Sequence, residues 1–592
     1  MLAWPGYGWL GQIMTLARTV LGHWRALDAQ TRATIFICFL AVLIGVCAFF
    51  SALDHHPSAY QWPALDMFPY FMIRAGEANL ATDFFSQCSL LPSPRHIFGG
   101  LVTDLSSITH IHWYRALSLI QSAIGVATPV AMFVALISIL RLFLPSVRSI
   151  VVAAAALAAP IIWSLVNPNV SAALSVAWWP SMLTEATPLA LSELLGAIAI
   201  PFALNRRILR FSIGCVVLFV AVLIHPTVGL SAVGLASVVL LLVGSWAFAG
   251  ILVIIGGAAA TILLILFGEH SGIGAVEFVQ VYVVRAHPWH FLPSQFGVLY
   301  VPDFLRETVG VHWYTGLLIV LLGLAATAGL FYRSKDYKVA QLCTVLVALL
   351  SGILVLQYFF VELIPVKMVA TLGPVTAFLW NFWFFCMAVA LLCTFLFGDL
   401  RRAHKTPQMF SLLQSPGQWG AAAVGGGVIA GLVLLLFVVT QDAMTDVPMT
   451  RDGPAFAWIE THTSPDSVFV APLSSNFSID IPIVTHRAVF FGNGFPFTER
   501  CLREYYARDM LVTGTPEQVA AAAGDDVLAR FENLYDSHSA QYFVSLRKRY
   551  RADYVIVKSK VAGNFSTIAP AYRNANYAIY SIDALARAQT AK

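Results

Sequence analysis

Residues 247–267 read AFAGILVIIGGAAATILLILF, an apolar run without a charged side chain. A helix needs about 20 consecutive, mostly apolar residues to cross the hydrocarbon core of a bilayer. Runs of this kind recur along the chain and predict membrane-spanning helices. The predicted spans are 33–53, 117–140, 149–166, 186–204, 211–225, 227–245, 247–267, 313–332, 339–360, 374–397 and 419–440.

The composition of the whole chain agrees with these spans. Of the 592 residues, 58% are hydrophobic and 11% are charged, and the mean hydropathy is +0.76. A soluble globular protein carries roughly a quarter charged residues. We therefore predict a polytopic α-helical membrane protein with about 11 transmembrane helices, within a range of 10–13. His225-Pro226 leaves open whether 211–245 is one broken element or two helices.

Lys and Arg are concentrated in short segments between the spans. They occur in 1–32, 141–148, 205–210, 333–338 and 398–418. The positive-inside rule makes these segments cytoplasmic and places the N-terminus inside and the C-terminus outside. The net charge of +4 is explained by these segments, so nucleic-acid binding is excluded. The N-terminus lacks the features of a cleavable signal peptide.

This orientation divides the chain into three parts. Residues 1–32 form a cytoplasmic segment, 33–440 the transmembrane domain, and 441–592 an extracytoplasmic tail. Two outer loops, 54–116 and 268–312, are too long to be simple connectors, and we call them the first and fourth outer loops. The tail has the size of a small domain and an α/β pattern. Its predicted strands are 467–473, 488–491, 554–558 and 577–582, and its predicted helices are 454–461, 497–510, 515–535 and 541–550.

Cys88 and Cys501 both fall in predicted extracytoplasmic segments. A disulfide between them is one possibility, but the sequence favours two unpaired thiols. The other six cysteines lie in apolar runs, where cysteine behaves as a small hydrophobic residue.

The first outer loop combines polar side chains with aromatic rings. Such a surface suits a sugar, whose C–H face stacks on a ring while its hydroxyls accept and donate hydrogen bonds. The alternative is an interfacial aromatic belt. The substrate-binding candidates of this loop are His55, Gln61, Trp62 and Arg95. His225, between two later spans, is a further candidate, and its alternative role is that of a structural group at a helix end.

Two carboxylates of this loop are candidate general bases. Asp54 directly follows the first span, where partial desolvation raises the pKa of a carboxyl group. A solvated Asp at a helix end is the alternative interpretation. Asp83 is the second candidate, and its alternative role is that of a helix cap.

The fourth outer loop contains Arg285, His287 and His290 within six residues. Arg and His bind phosphate through charge-assisted hydrogen bonds. A metal site is disfavoured because no nearby carboxylate completes a ligand set. A loop held in shape by its prolines and Trp289 is the alternative.

Ionisable side chains also border or enter apolar runs, and such groups are functional candidates by default. They are Glu185, Glu193, Glu362 and Lys367. For Lys367, snorkelling to the membrane interface explains the position equally well. The Walker, GxSxG, HExxH and DxD motifs are absent from the sequence. We therefore expect neither a soluble nucleotide-sugar enzyme nor a required metal or other cofactor.

Several short motifs resemble those of the GT-C superfamily of integral-membrane glycosyltransferases, in a bacterial subgroup. In the membrane part they are Leu53-Asp54-His55, Tyr60-Gln61-Trp62-Pro63, Asp83-Phe84-Phe85, Ser93-Pro94-Arg95, His225-Pro226 and Arg285-Ala286-His287-Pro288-Trp289-His290. In the tail they are Phe456-Ala457-Trp458-Ile459, Thr463–Phe469, His486–Val489 and Asp553–Val557. The motifs occur in order over most of the chain, and each alone is short.

The resemblance implies a hexosyl- or pentosyltransferase of the bacterial inner membrane. It would move a sugar from a polyprenyl-phosphate-linked donor to a glycan, lipid or protein acceptor on the outer face, with inversion. By position Asp54 becomes the base, and Arg285, His287 and His290 would neutralise the phosphate. Many members carry an Asp–Glu pair where this chain has Asp54-His55, so the choice between Asp54 and Asp83 stays open. A glycan polymerase or ligase, a lipid-linked-sugar flippase and an inactive scaffold remain alternatives.

Overall fold

A computed structural model describes eleven main parts of the chain. They are residues 67–77, 80–144, 188–267, 272–283, 313–334, 337–372, 449–472, 477–492, 499–524, 527–565 and 568–590, with isolated positions between 387 and 395. The predicted spans 33–53, 149–166 and 419–440, and nearly all of 374–397, lie outside the described residues.

The part of the chain before the tail is helical. Its helices are α1 (Phe68–Ala75), α2 (Phe84–Ser89), α3 (Arg95–Thr109), α4 (Trp113–Phe143), α5 (Pro188–Ala203), α6 (Ile208–Ile224), α7 (Pro226–Leu242), α8 (Trp246–Phe267), α9 (Trp313–Ser334), α10 (Tyr337–Gln357) and α11 (Lys367–Leu372). π-Helical segments at Phe278–Val283 and Tyr358–Leu363 lie beyond the ends of α8 and α10. Every predicted span within the described ranges coincides with one helix from α4 to α10.

The bundle has an apolar exterior as well as an apolar core. Ile208 and Leu209 on α6, and Ile254 and Ile265 on α8, are all more than two-thirds exposed. Among the described helices, α8 is the one that is both long and apolar enough to cross a bilayer by itself, and α5, α6 and α7 are shorter apolar helices. Outward faces of this kind are unfavourable in water and are expected for helices that contact lipid.

His225 separates two helices. α6 ends at Ile224 and α7 begins at Pro226, whose fixed φ suits the first position of a helix. The His225 Nδ1 atom accepts a hydrogen bond from the backbone N–H of Val228 at 3.4 Å and so caps α7. The structure therefore favours two helices over one broken element.

Two polar contacts join helix ends on the predicted cytoplasmic side of the bundle, away from the outer loops. The Arg206 guanidinium donates to the carbonyl of Val243 at 3.0 Å, and the Gln341 amide donates to the carbonyl of Leu242 at 2.8 Å. These contacts join the ends of α5, α7 and α10 that the positive-inside rule places together. The first outer loop and the tail meet at the opposite end.

The tail forms a five-stranded mixed sheet with helices packed around it. Its elements are α12 (Met449–His462), β1 (Val468–Val470), α13 (Phe477–Asp480), β2 (Ala488–Val489), α14 (Leu502–Thr513), α15 (Pro516–Ala521), α16 (Val527–Ser537), α17 (Ala540–Tyr550), β3 (Tyr554–Lys558), β4 (Tyr572–Arg573), β5 (Tyr577–Ser581) and α18 (Ile582–Thr590). The strand order is β2-β1-β3-β5-β4. β1 is parallel to β2 and β3, whereas β5 is antiparallel to β3 and β4.

The four predicted strands of the tail correspond to β1, β2, β3 and β5, and β4 was not predicted. The single helix predicted over 515–535 is two helices, α15 and α16. Thr515 caps α15 in a reciprocal capping box with Gln518, as the Thr-Pro pattern indicates. Gly524, with φ at 151°, lies in the break between them.

Cys88 and Cys501 form a disulfide, so the preference for two unpaired thiols was wrong. The two residues are 413 positions apart in sequence, and nothing in the local sequence indicates that they meet. The bond joins the first outer loop to the segment that leads into α14. Since disulfides persist in oxidising compartments, this pairing fits an extracytoplasmic location for both segments.

The crossing of α6 and α7 depends on Gly229. A Cβ atom at this position would lie 2.3 Å from the backbone nitrogen of Val222, which cannot move independently of its helix. We expect Gly229→Ala to separate the two helices and to lower the melting temperature, because overpacking costs about 1–3 kcal/mol.

Gly234→Ala is the matched control in the same helix. A Cβ atom there meets nothing within 4 Å, so we expect an unchanged or slightly higher melting temperature. Thermal unfolding in detergent measures both variants. Equal melting temperatures for Gly229→Ala and the wild type would contradict the close helix crossing.

Candidate functional site

Asp83 joins the first outer loop to the sheet of the tail. Its side chain is 1% exposed and caps α2, where one carboxylate oxygen accepts the backbone N–H of Ser86 at 2.7 Å. The other oxygen accepts the backbone N–H of Val489 at 2.8 Å. Val489 lies on the edge strand β2, and its N–H points away from β1. Asp83 therefore satisfies an edge donor that the sheet leaves open.

The environment of Asp83 raises the pKa of its carboxyl group. Burial is the main cause, and it outweighs the hydrogen bonds from Ser86 and Val489 and the positive charge of Arg508, which act in the opposite direction. Backbone donors occupy both oxygens, so the geometry favours the helix-cap interpretation. The role of Asp83 as a general base stays a prediction.

Arg508 on α14 lies beside this contact. Its guanidinium donates to the carbonyl of Phe490 at 2.9 Å and to the Glu504 carboxylate at 2.8 Å. The guanidinium carbon also lies 4.5 Å from the ring centre of Phe84 on α2 and 5.2 Å from that of Tyr550 on α17. Arg508 thus contacts both the loop and the tail. Nothing in the sequence around Arg508 indicates this role, because only the folded tail brings these rings together.

Lys367 forms a second connection between the membrane part and the tail. Its ammonium group lies 2.6 Å from the Glu499 carboxylate and donates to the carbonyl of Ile273 at 3.0 Å. The Lys367 ammonium group is therefore paired within the protein, and snorkelling to the membrane interface does not explain its position. Arg503 and Glu277 approach to 3.8 Å nearby. Together with the disulfide, these contacts bring the first and fourth outer loops, the outer end of α10 and the tail to one face of the molecule.

We call the contacts of Asp83, Cys88 and Phe84 with Val489, Cys501 and Arg508 the junction. It is composed of a buried hydrogen bond, a covalent bond and a cation–π contact. All three connect the segment 83–88 to the tail, so the position of the first outer loop is set by the tail.

Arg95 and His225 lie close together at the outer end of the bundle. Arg95 begins α3, which packs on α6, and its charge acts electrostatically on the His225 ring. Ser192 on α5 donates to the carbonyl of Ala221, one turn before His225, at 2.8 Å. Two of the predicted substrate-binding residues are thus brought together from distant parts of the sequence.

Buried acidic side chains lie in the bundle near this end. Glu193 is next to Ser192 on α5 and is 3% exposed, and within the described ranges it makes no hydrogen bond or ion pair. Glu362 is buried in the π-helical segment beyond α10. A carboxyl group held among apolar helices is costly unless function requires it, so both remain functional candidates.

The other predicted site residues lie outside the described residues, and their roles stay predictions. They are Asp54, His55, Gln61, Trp62, Arg285, His287 and His290. In the described part of the chain, three or more His, Cys, Asp or Glu side chains do not come together as a metal-binding group.

No protein-family model and no curated protein matches the sequence. Among solved structures, the fold resembles that of ArnT from Cupriavidus metallidurans. The apo crystal structure of ArnT is 12% identical in sequence, and the match covers 92% of this chain and 97% of ArnT with a TM-score of 0.45. The structure of ArnT bound to undecaprenyl phosphate is also 12% identical and covers 94% and 98%, with a TM-score of 0.39.

Asp83→Asn tests the junction. Asn keeps one acceptor oxygen but places an N–H group against a backbone donor, so one buried N–H loses its partner. The loss of such a hydrogen bond costs about 1–3 kcal/mol. We expect a lower melting temperature than for the wild type, and no change for Asp104→Asn, which alters an exposed carboxylate of the same loop.

The pH dependence gives a second measurement. Because burial raises the pKa of Asp83, its contribution to stability is greatest in acid and falls as pH rises through that raised value. Asn does not titrate, so the difference in melting temperature between wild type and Asp83→Asn shrinks as pH rises. A variant that melts like the wild type at every pH would contradict the structural role of Asp83.

Proposed function

We propose that the protein is a glycosyltransferase of the bacterial inner membrane that works on the outer face. It would transfer a sugar from a polyprenyl-phosphate-linked donor to a glycan, lipid or protein acceptor. The observation that carries this proposal is the proximity of Arg95, in the first outer loop, to His225, between α6 and α7 at the predicted outer end of the bundle. Cationic and polar groups at a membrane boundary suit a phosphate whose lipid chain stays in the bilayer.

The proposed reaction needs one base and a set of cations. Asp54 takes the proton of an acceptor hydroxyl, and the oxygen forms a bond to the anomeric carbon from the side opposite the phosphate. The bond between that carbon and the phosphate oxygen breaks, and polyprenyl phosphate leaves with the electron pair. Arg285, His287 and His290 stabilise the negative charge on the departing phosphate.

The junction supports Asp54 over Asp83 as the base. Both oxygens of Asp83 are engaged by backbone donors, and its side chain is almost inaccessible. A general base must reach the proton that it removes. Asp83 therefore holds the loop in this proposal, and Asp54, at the start of the same loop, performs the chemistry without a metal.

The direct test is transfer in reconstituted vesicles. Undecaprenyl-phosphate-linked sugars serve as radiolabelled donors, and membrane extracts supply the acceptors. We expect incorporation into an acceptor with the wild type, and a loss of about 100-fold or more with Asp54→Asn, because a positioned base contributes 100- to 10,000-fold. The control Asp104→Asn should retain full activity, and chelation of divalent metals should leave the rate unchanged.

Other results would contradict the proposal in specific ways. Full activity of Asp54→Asn combined with Asp83→Asn would exclude a carboxylate base from the first outer loop. Products longer than one added sugar would favour a polymerase. Labelled donor that crosses the bilayer unchanged would favour a flippase.

A further inference from the structure

Helix α17 ends in a run of basic residues. Arg547 is neutralised, since its guanidinium lies 2.7 Å from the Asp583 carboxylate and 3.5 Å from that of Asp553. Lys548, Arg549 and Arg551 are exposed, and none of them forms an ion pair with a described residue. We call these three residues the basic cluster. It places three positive charges within four positions on a tail whose acidic and basic residues nearly balance.

The end of the helix explains only part of the cluster. Bases in the last turn interact favourably with the partial negative charge of a helix C-terminus, which accounts for Lys548 and Arg549. Arg551 lies beyond the helix, with φ at 60° and ψ at 29°. This left-handed conformation favours glycine. The backbone N–H of Arg551 closes the helix by donating to the carbonyl of Arg547, and a glycine would do the same with less strain.

The basic cluster lies at the edge of the junction. The Arg549 guanidinium carbon is 4.9 Å from the ring centre of Tyr550. The Tyr550 ring also contacts Arg508, whose guanidinium lies over Phe84 of the first outer loop. A ligand held by the basic cluster would therefore lie beside the loop that contains the candidate site.

The surrounding surface favours a soluble polyanion over a bilayer. Peripheral membrane-binding surfaces combine bases with exposed aromatic or aliphatic side chains. In the described residues, the exposed large hydrophobic side chains all lie between Leu101 and Met368, and the described tail contributes none. The basic cluster has charge and no apolar side chains that could enter lipid.

We propose that the basic cluster binds an anionic polysaccharide through the carboxylate or phosphate groups of that chain. The binding does not depend on the proposed sugar transfer. If both hold, the polysaccharide is the acceptor or an extension of it, and the basic cluster holds it beside the first outer loop.

Binding of polygalacturonate to the full-length protein in neutral detergent tests this proposal. Neutral dextran is the comparison ligand. We expect saturable binding of polygalacturonate that weakens as NaCl rises from about 0.05 to about 0.5 M, because salt screens exposed charges. The triple variant Lys548→Gln, Arg549→Gln and Arg551→Gln should bind about tenfold more weakly, which corresponds to three exposed ion pairs.

A control variant separates the basic cluster from net charge. Lys560→Gln, Arg573→Gln and Arg587→Gln remove the same charge from other exposed positions of the tail and should leave the affinity unchanged. Arg551→Gly should weaken binding while the melting temperature stays the same or rises. Equal losses in both triple variants, wild-type affinity in the first one, or binding to phosphatidylglycerol vesicles but not to polygalacturonate would each overturn the proposal.

Discussion

The Asp83 carboxylate is the contact on which the arrangement of the outer face depends. It accepts one N–H from its own helix and one from an edge strand of the tail. A single buried group therefore caps the start of α2 and pairs with the open edge of β2. A buried carboxylate is costly unless donors surround it. The nearby disulfide and the Arg508 guanidinium contact the same segment, so three separate contacts connect residues 83–88 to the tail.

This constraint gives the tail a structural role in the site. The first outer loop contains Asp54 at its start and Arg95 near its end, with the junction between them. Because the tail fixes residues 83–88, it also limits where the two flanking parts of the loop can lie. Lys367 and Glu499 connect the tail to the start of α11, which follows α10 and its π-helical extension. The tail therefore contributes to the position of the first outer loop next to the membrane helices.

Patterns that are local in sequence predicted local structure well. The apolar runs 117–140, 186–267 and 313–360 located the helices of the described residues to within a few positions, since lipid exposure demands uninterrupted apolar faces. The helix predicted from residue 515 does start there, because the Thr515 cap and Pro516 at the first helical position act within one turn. The α/β pattern of the tail predicted four of its five strands. β4 was not predicted because a strand of two residues is too short to show an alternation of apolar and polar side chains.

Contacts between distant residues could not be predicted in the same way. Asp83 meets Val489 at a separation of 406 residues, and Cys88 meets Cys501 at 413. Nothing near either partner indicates the other. The sequence therefore offered Asp83 as a base or a helix cap without its contact to the tail, and it favoured two thiols over the disulfide. For the same reason, the sequence left Lys367 open between a functional role and snorkelling to the interface, and gave no sign of its ion pair with Glu499. The sequence also gave no indication that Arg508 contacts the first outer loop, since an arginine on an amphipathic helix is usually solvated.

Thiol labelling on intact cells tests the central claim most directly, namely that the tail and the first outer loop are joined on the outer side of the membrane. A membrane-impermeant maleimide is applied before and after a membrane-impermeant reductant, and labelled peptides are identified by mass spectrometry. The junction predicts that Cys88 and Cys501 are unlabelled at first and that both are labelled after reduction. Labelling of either cysteine without reduction, or only in inverted vesicles, would contradict it.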